Sequence, residues 1–201
     1  PWWWEESILF KGSFCFRCVF KFFYNLHSMV ITETEEIKNR FMRLREHCDT
    51  AFVESGFLRV SEEPLFSNQY ANCCGVALLK PGLGGLTHHF LEREVVDPHI
   101  YLFDILFMMD AIMNGVEGVR AAVIGGDRNH FRILKEQLEQ EYRIPVIGEY
   151  CDGWMDGERL NPKNFRRSPE QWEKAHKSLL VIPKTQEVLL YGQNIGCRKL
   201  I

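Results

Sequence analysis

The chain predicts an α/β (α+β) sandwich, a single domain with a mixed sheet packed against helices, and three observations carry that expectation. Val119 to Gly125 and Ile144 to Tyr150 are apolar runs of strand length that bracket the helical periodicity of Arg128 to Tyr142. Leu179-Leu180-Val181-Ile182 and Glu187-Val188-Leu189-Leu190-Tyr191 flank Pro183-Lys184-Thr185-Gln186 as the arms of a terminal hairpin would. With 201 residues, 46% hydrophobic and 25% charged, the chain can bury one sizeable core without needing a second.

Taken in order, residues 1–28 stand apart. Trp2, Trp3, Trp4, Phe10, Phe14, Phe16, Phe20, Phe22 and Phe23 crowd together there, and Met29 opens a segment of ordinary globular composition. Lys11, Arg17 and Lys21 interrupt the apolar residues too often for a transmembrane helix, and no small-residue cleavage site follows an apolar core. The segment reads as a surface-seeking amphipathic arm or as upstream sequence translated ahead of a start at Met29. The second is the expectation, with the segment poorly packed on a domain spanning 29–201.

From Thr32 the pattern turns helical. Thr34, Glu35 and Glu36 give capping and acidic first-turn signals, Ile37, Phe41, Leu44, Cys48, Phe52 and Val53 recur at helical spacing, and Gly56 is the expected stop. After the link Ser61-Glu62-Glu63-Pro64, two strands are expected around the turn Lys80-Pro81-Gly82-Leu83. Asp97-Pro98 then opens an apolar, buried helix through Met113. In the helix from Arg128, Phe131, Leu134 and Leu138 should face inward, while Asp152 to Lys177 reads as a polar stretch. No internal repeat is present.

The formal charge of -3 and pI near 6.2 supply no basic field for nucleic acid. Seven cysteines, an odd number at irregular spacing and without a secretory signal, do not form a secreted disulfide framework, so a reducing cytoplasm is expected.

The two expected strands carry Cys73-Cys74-Gly75 at the start of one and Gly84-Gly85-Leu86-Thr87-His88 at the end of the other. Neighbouring strands would bring a thiol to an imidazole, the minimum equipment for thiolate catalysis. Side chains alternate between faces of a strand, so Cys73 and Cys74 cannot both enter one site, nor can His88 and His89.

In this order, Ala71-Asn72-Cys73-Cys74, Gly84-Gly85-Leu86-Thr87-His88, the strand to Gly126, Arg128-Asn129 and Ile144-Pro145-Val146 resemble the chemoreceptor glutamine deamidases, the CheD-like cysteine hydrolases, over roughly residues 57–191. The resemblance implies Cys73 as nucleophile, His88 as base, and Ser67, six places before the cysteine where the family has threonine, as the third residue. It also implies a protein substrate carrying a reactive glutamine, a chemoreceptor-like one by resemblance alone, and no organic cofactor. Asn72 and Thr87 are candidates for substrate or oxyanion contacts, with the Cys73 backbone N–H and Ser67 as nearby oxyanion donors. Ala71-Asn72 stands where the family has Gly-Ser, a departure that alters the oxyanion geometry.

Three other readings stand beside this one. A noncatalytic protein-binding module on the same fold would keep the cleft and dispense with the thiol. Cys73, Cys74, His88 and His89, with the Cys15-Phe16-Arg17-Cys18 pair, are zinc-type ligands, but vicinal pairs on strands chelate poorly, and the expectation is no metal. Gly125-Gly126-Asp127 could offer backbone donors to an anion or simply make a tight strand-to-helix turn, which is the expected reading. Trp154 and Trp172, beside Asp152, Asp156 and Glu158, are expected to anchor a loop.

Overall fold

Strands whose side chains are apolar on both faces need cover on both, and that requirement shapes the molecule. A computed structural model describes residues 34–47, 49–71, 73–89, 108, 117–153 and 168–201. Ten strands in the described residues form two sheets of five, both mixed. The first sheet orders β1 (Ala51–Phe52), β3 (Leu65–Ser67), β8 (Lys177–Ile182), β9 (Glu187–Gly192) and β10 (Gly196–Lys199), with only β1 and β3 parallel. The second orders β2 (Leu58–Ser61), β5 (Leu83–Thr87), β4 (Cys74–Lys80), β6 (Arg120–Gly125) and β7 (Val146–Cys151), with only β6 and β7 parallel.

The sheets pack face to face. Leu65, Leu179, Val181, Val188 and Leu190 of the first meet Ala77, Leu79, Leu86, Ala122 and Ile124 of the second. The alternate residues of the second sheet, Val76, Leu78, Ala121 and Val123, turn outward onto Leu134, Leu138 and Met108. Leu134 belongs to helix α2 (Arg128–Glu136), and Leu138 to the π-helical turn Gln137–Glu141 that continues it. On the far side, Phe41 of the helix over residues 34–45 (α1) is buried against Phe66, Leu180, Ile182 and Leu189. The layers therefore run helix, sheet, sheet, helix. Arg40 of α1 and Lys199 of β10 both pair with Glu187 of β9, at 2.6 and 2.9 Å. Burial alone would raise the Glu187 pKa, but donors from Thr185, Lys199 and Arg40 outweigh it and hold the carboxylate at about 2.

Several expectations change. The α/β sandwich is as expected, but it holds two mixed sheets rather than one, because β1, β3 and β10 were too short for periodicity to reveal. The first helix stops at residue 45 rather than running through Val53. Ala51 N–H donates to the Pro64 carbonyl and Val53 N–H to that of Phe66, so this stretch joins β3. Gly56, at φ 85°, turns the chain between strands instead of ending a helix. The polar stretch before β8 contains a helix, α3 (Pro169–Ala175), opened by a reciprocal capping box between Ser168 and Gln171. Trp172 lies on it, half-buried. Residues 1–33, Asn72, Trp154 and all of the expected helix from Asp97 except the fully buried Met108 lie outside the described residues. No helix among the described residues is long and apolar enough to cross a membrane.

Gly84 lets the sheets close. A Cβ there would sit 2.9 Å from the Pro183 ring and 3.0 Å from Val181 Cγ1. Gly84→Val should therefore destabilise the protein by about 1–3 kcal/mol through overpacking, read as a lower urea midpoint at unchanged m-value; an unchanged midpoint would show that the interface has slack.

Candidate active site

One end of the sandwich gathers the buried polar and sulfur-bearing groups. The registers place the ends of β3, β5, β6, β7 and β9 there, together with the beginnings of β4, β8 and β10. The β4–β5 ladder extends past the strand ends. Cys74 and His89 exchange backbone hydrogen bonds at 3.1 and 2.8 Å, which sets Gly75 opposite His88. The His88 N–H instead donates to the Phe57 carbonyl at 3.0 Å on the β2 side. Gly75 and His88 thus form a pair without mutual backbone bonds, the closer kind in an antiparallel ladder.

Alternation then sorts the neighbours. Cys73, two residues before Gly75, joins the inter-sheet core with Tyr70, Ala77 and Leu86, and the register places His88 on the same face. Cys74 packs with Val76 and Leu78 on the helix side, opposite His89. Cys73 and His88 are diagonal neighbours across two strands, a relation that spans roughly 7–8 Å between backbones, and His88 Nε2 makes no hydrogen bond to the thiol.

His88 is held from two sides. Ser67, at the end of β3, donates its hydroxyl to the Val53 carbonyl at 2.6 Å, and its Oγ lies 2.8 Å from His88 Nδ1. A carbonyl has no proton to give, so the single Ser67 proton is committed to Val53 and Ser67 must accept from Nδ1–H. This assigns the neutral tautomer with Nδ1 protonated and the lone pair on Nε2. That Nε2 atom is buried and has no hydrogen-bond partner. On the other side, the Tyr70 ring stacks on the imidazole with centroids 4.0 Å apart and planes 21° from parallel.

Electrostatics favour a neutral resting state. Burial lowers the His88 pKa from 6.5 to about 4. His89 falls to about 3, first by burial and then by the nearness of His88. Burial also pushes the Cys74 thiol well above its ordinary range, assisted by Cys151, which suits an inert core thiol. A Cβ at Gly125 would lie 3.0 Å from Cys74 Sγ, so the glycine there makes room for that sulfur. Behind Tyr70, Lys177 is buried and paired with Asp152 at 2.6 Å.

Of the residues singled out in the sequence, Cys73, His88 and Ser67 come to one face and Thr87 does not join them. The Thr87 side chain points to the helix side, where its Oγ1 accepts from Val76 N–H at 3.0 Å. Ser67 cannot serve as an oxyanion donor, because its proton is spent on Val53. Asn72 lies outside the described residues. The Gly125-Gly126-Asp127 turn offers no open anion site, since Asp127 caps α2 itself by accepting from His130 N–H at 2.9 Å. Among the described residues no group of three or more His, Cys, Asp or Glu could hold a metal ion. Sequence reasoning missed Tyr70 and the Val53 carbonyl. The hint for Tyr70 was a glycine two residues after Cys73, whose missing side chain the ring occupies.

No protein-family model matches the chain, and no curated protein matches it either.

The fold keeps His88 neutral, so the unfolded chain takes up its proton first as pH falls. The stabilisation linked to His88 is present above about pH 6.5 and is lost between pH 6.5 and about 4. In His88→Gln this component is absent. The stability difference between wild type and variant should shrink by ~3 kcal/mol at most between pH 7 and pH 4, measured by urea unfolding. A constant difference would show that His88 titrates normally.

Proposed function

We propose that the protein is a cysteine-dependent amidohydrolase of the protein-glutamine deamidase type, with Cys73 as nucleophile, His88 as general base and acid, and Ser67 as the group that orients the imidazole. The observation that carries this reading is the committed Ser67 proton. It leaves His88 Nε2 as a bare acceptor on the face that Cys73 shares. Ser67 does for His88 what a carboxylate does in other triads, fixing tautomer and ring direction, but it adds no negative charge. The imidazolium is therefore less stabilised than beside a carboxylate, and the resting pair is thiol and imidazole rather than an ion pair.

In the reaction, Nε2 takes the Cys73 thiol proton as sulfur attacks the carbon of a side-chain carboxamide. The tetrahedral oxyanion collapses, the C–N bond breaks and the imidazolium returns the proton to the leaving nitrogen, which departs as ammonia. His88 then removes a proton from water, hydroxide attacks the thioester, and the released thiolate recovers that proton. The products are a carboxylic acid and the original thiol. A base with a pKa near 4 is weak as an acceptor and strong as a donor, which favours expulsion of a poor amine leaving group. A glutamine side chain on a protein partner, as in the resemblance to CheD-like enzymes, is the substrate class proposed, and a chemotaxis role and a cytoplasmic location belong to the same proposal.

The burial of Cys73 and His88 supports a second reading, a noncatalytic binding module that retains the pair as core. Alkylation decides between them. With iodoacetamide, followed by peptide mass spectrometry, Cys73 should label between pH 5 and 8, and labelling should fall about tenfold or more in His88→Ala. Ser67→Ala should give an intermediate loss that Ser67→Thr restores. A Cys73 that resists alkylation, or is indifferent to His88, leaves the binding module as the reading. Ammonia release from glutamine-bearing proteins, abolished in Cys73→Ala, is the complementary assay.

A further inference from the structure

We propose that Tyr70 is a positioning residue for His88, its ring fixing the plane of the imidazole and stabilising the imidazolium through its π face when Nε2 takes a proton. The assignment extends the cysteine-hydrolase reading above and rests on it for its catalytic meaning. Tyr70 is itself fully buried and tied down at three points. Its hydroxyl donates to the Thr87 carbonyl at 2.9 Å, immediately before His88 in the chain, and its N–H donates to the Lys177 carbonyl at 3.1 Å. The third is Gly75, where a Cβ would lie 2.6 Å from Tyr70 Cε1 and 3.0 Å from Cζ, so the ring fills the volume that any other residue would occupy opposite His88.

The chain bends sharply to bring the ring there. Gln69 adopts φ 65°, a left-handed conformation uncommon for a residue with a side chain, and Ala71 N–H donates to the Gln69 carbonyl at 2.8 Å. Strain of this kind persists only where surrounding contacts impose it. An aromatic face lying on an imidazole attracts the ring most when the ring is cationic, by an amount that corresponds to roughly half a pKa unit to one and a half units. This opposes the burial that lowers the His88 pKa. Among the described residues, the polar and titratable groups about His88 are Ser67 from β3, Tyr70 from the following turn, Cys73 ahead of β4 and His89 past the end of β5, with the Lys177–Asp152 pair farther off. Among the described residues, Tyr70 is the one stacked on the ring.

The test separates shape from π density. Position 70 is changed to phenylalanine and then to pentafluorophenylalanine, in the full chain, and His88 is followed by NMR titration of its C2 proton while Cys73 alkylation is measured against pH. Tyr70→Phe should leave the His88 pKa within a few tenths of wild type. The fluorinated ring, nearly the same shape with its face charge reversed, should lower it by about half a unit or more. Gly75→Ala, whose Cβ would press on the Tyr70 ring and, at 3.1 Å, on the Thr87 carbonyl, should lower it likewise and slow the labelling of Cys73. A His88 pKa indifferent to both fluorination and Gly75→Ala overturns the proposal. The two ideas fail separately: His88→Ala without effect on Cys73 labelling sinks the dyad, whereas an unmoved His88 titration sinks the role of Tyr70.

Discussion

Two-sided burial of β4 is the constraint on which the rest depends. Val76 and Leu78 point to the helices while Ala77 and Leu79 point to the other sheet, so both cover layers are required at once. Burying each of the valine and leucine side chains contributes on the order of 1.5–3 kcal/mol by leaving water. A register slip by one residue would exchange the two sets and is strongly disfavoured. The same alternation continues to the start of the strand, where it has chemical consequences. It separates Cys73 from Cys74 and His88 from His89, giving the inter-sheet face one thiol and one imidazole.

The site is built by both sheets. Cys73 and His88 belong to the second sheet, whereas Ser67 lies at the end of β3 in the first. Tyr70 follows β3 and reaches across to stack on His88 and bond to the Thr87 carbonyl. The His88 geometry therefore depends on how the sheets pack, and residues such as Gly84 that set their separation also bear on the site. Glycines act twice here by what they lack: Gly75 yields its side-chain volume to Tyr70, and Gly125 yields its own to Cys74.

Burial and hydrogen bonding set the chemistry together. Removal from water lowers the His88 pKa, and Ser67, with its one proton committed to Val53, directs the imidazole's remaining lone pair through Nε2. A neutral hydroxyl orients without the charge that would draw a proton onto the ring. The resulting imidazole is oriented and uncharged at neutral pH, with its Nε2 buried.

The sequence by itself determined the elements with long, regular patterns: the hairpin of β4 and β5, β6, the helix after it, β7, and the closing hairpin of β8 and β9. Strand parity, a local property, also separated Cys73 from Cys74 and His88 from His89, whereas the choice of Cys73 and His88, with Ser67 beside them, came only from the resemblance. Tertiary structure decided what local patterns cannot carry. Ala51 to Val53 continue the helical spacing of α1 yet lie in a strand region, since pairing with β3 satisfies their backbone groups. The number of sheets, the commitment of the Ser67 proton to Val53 and the stacking of Tyr70 on His88 depend on atoms far apart in the chain or held by a strained turn. Such contacts have no period in the sequence and exist only once the two sheets have closed.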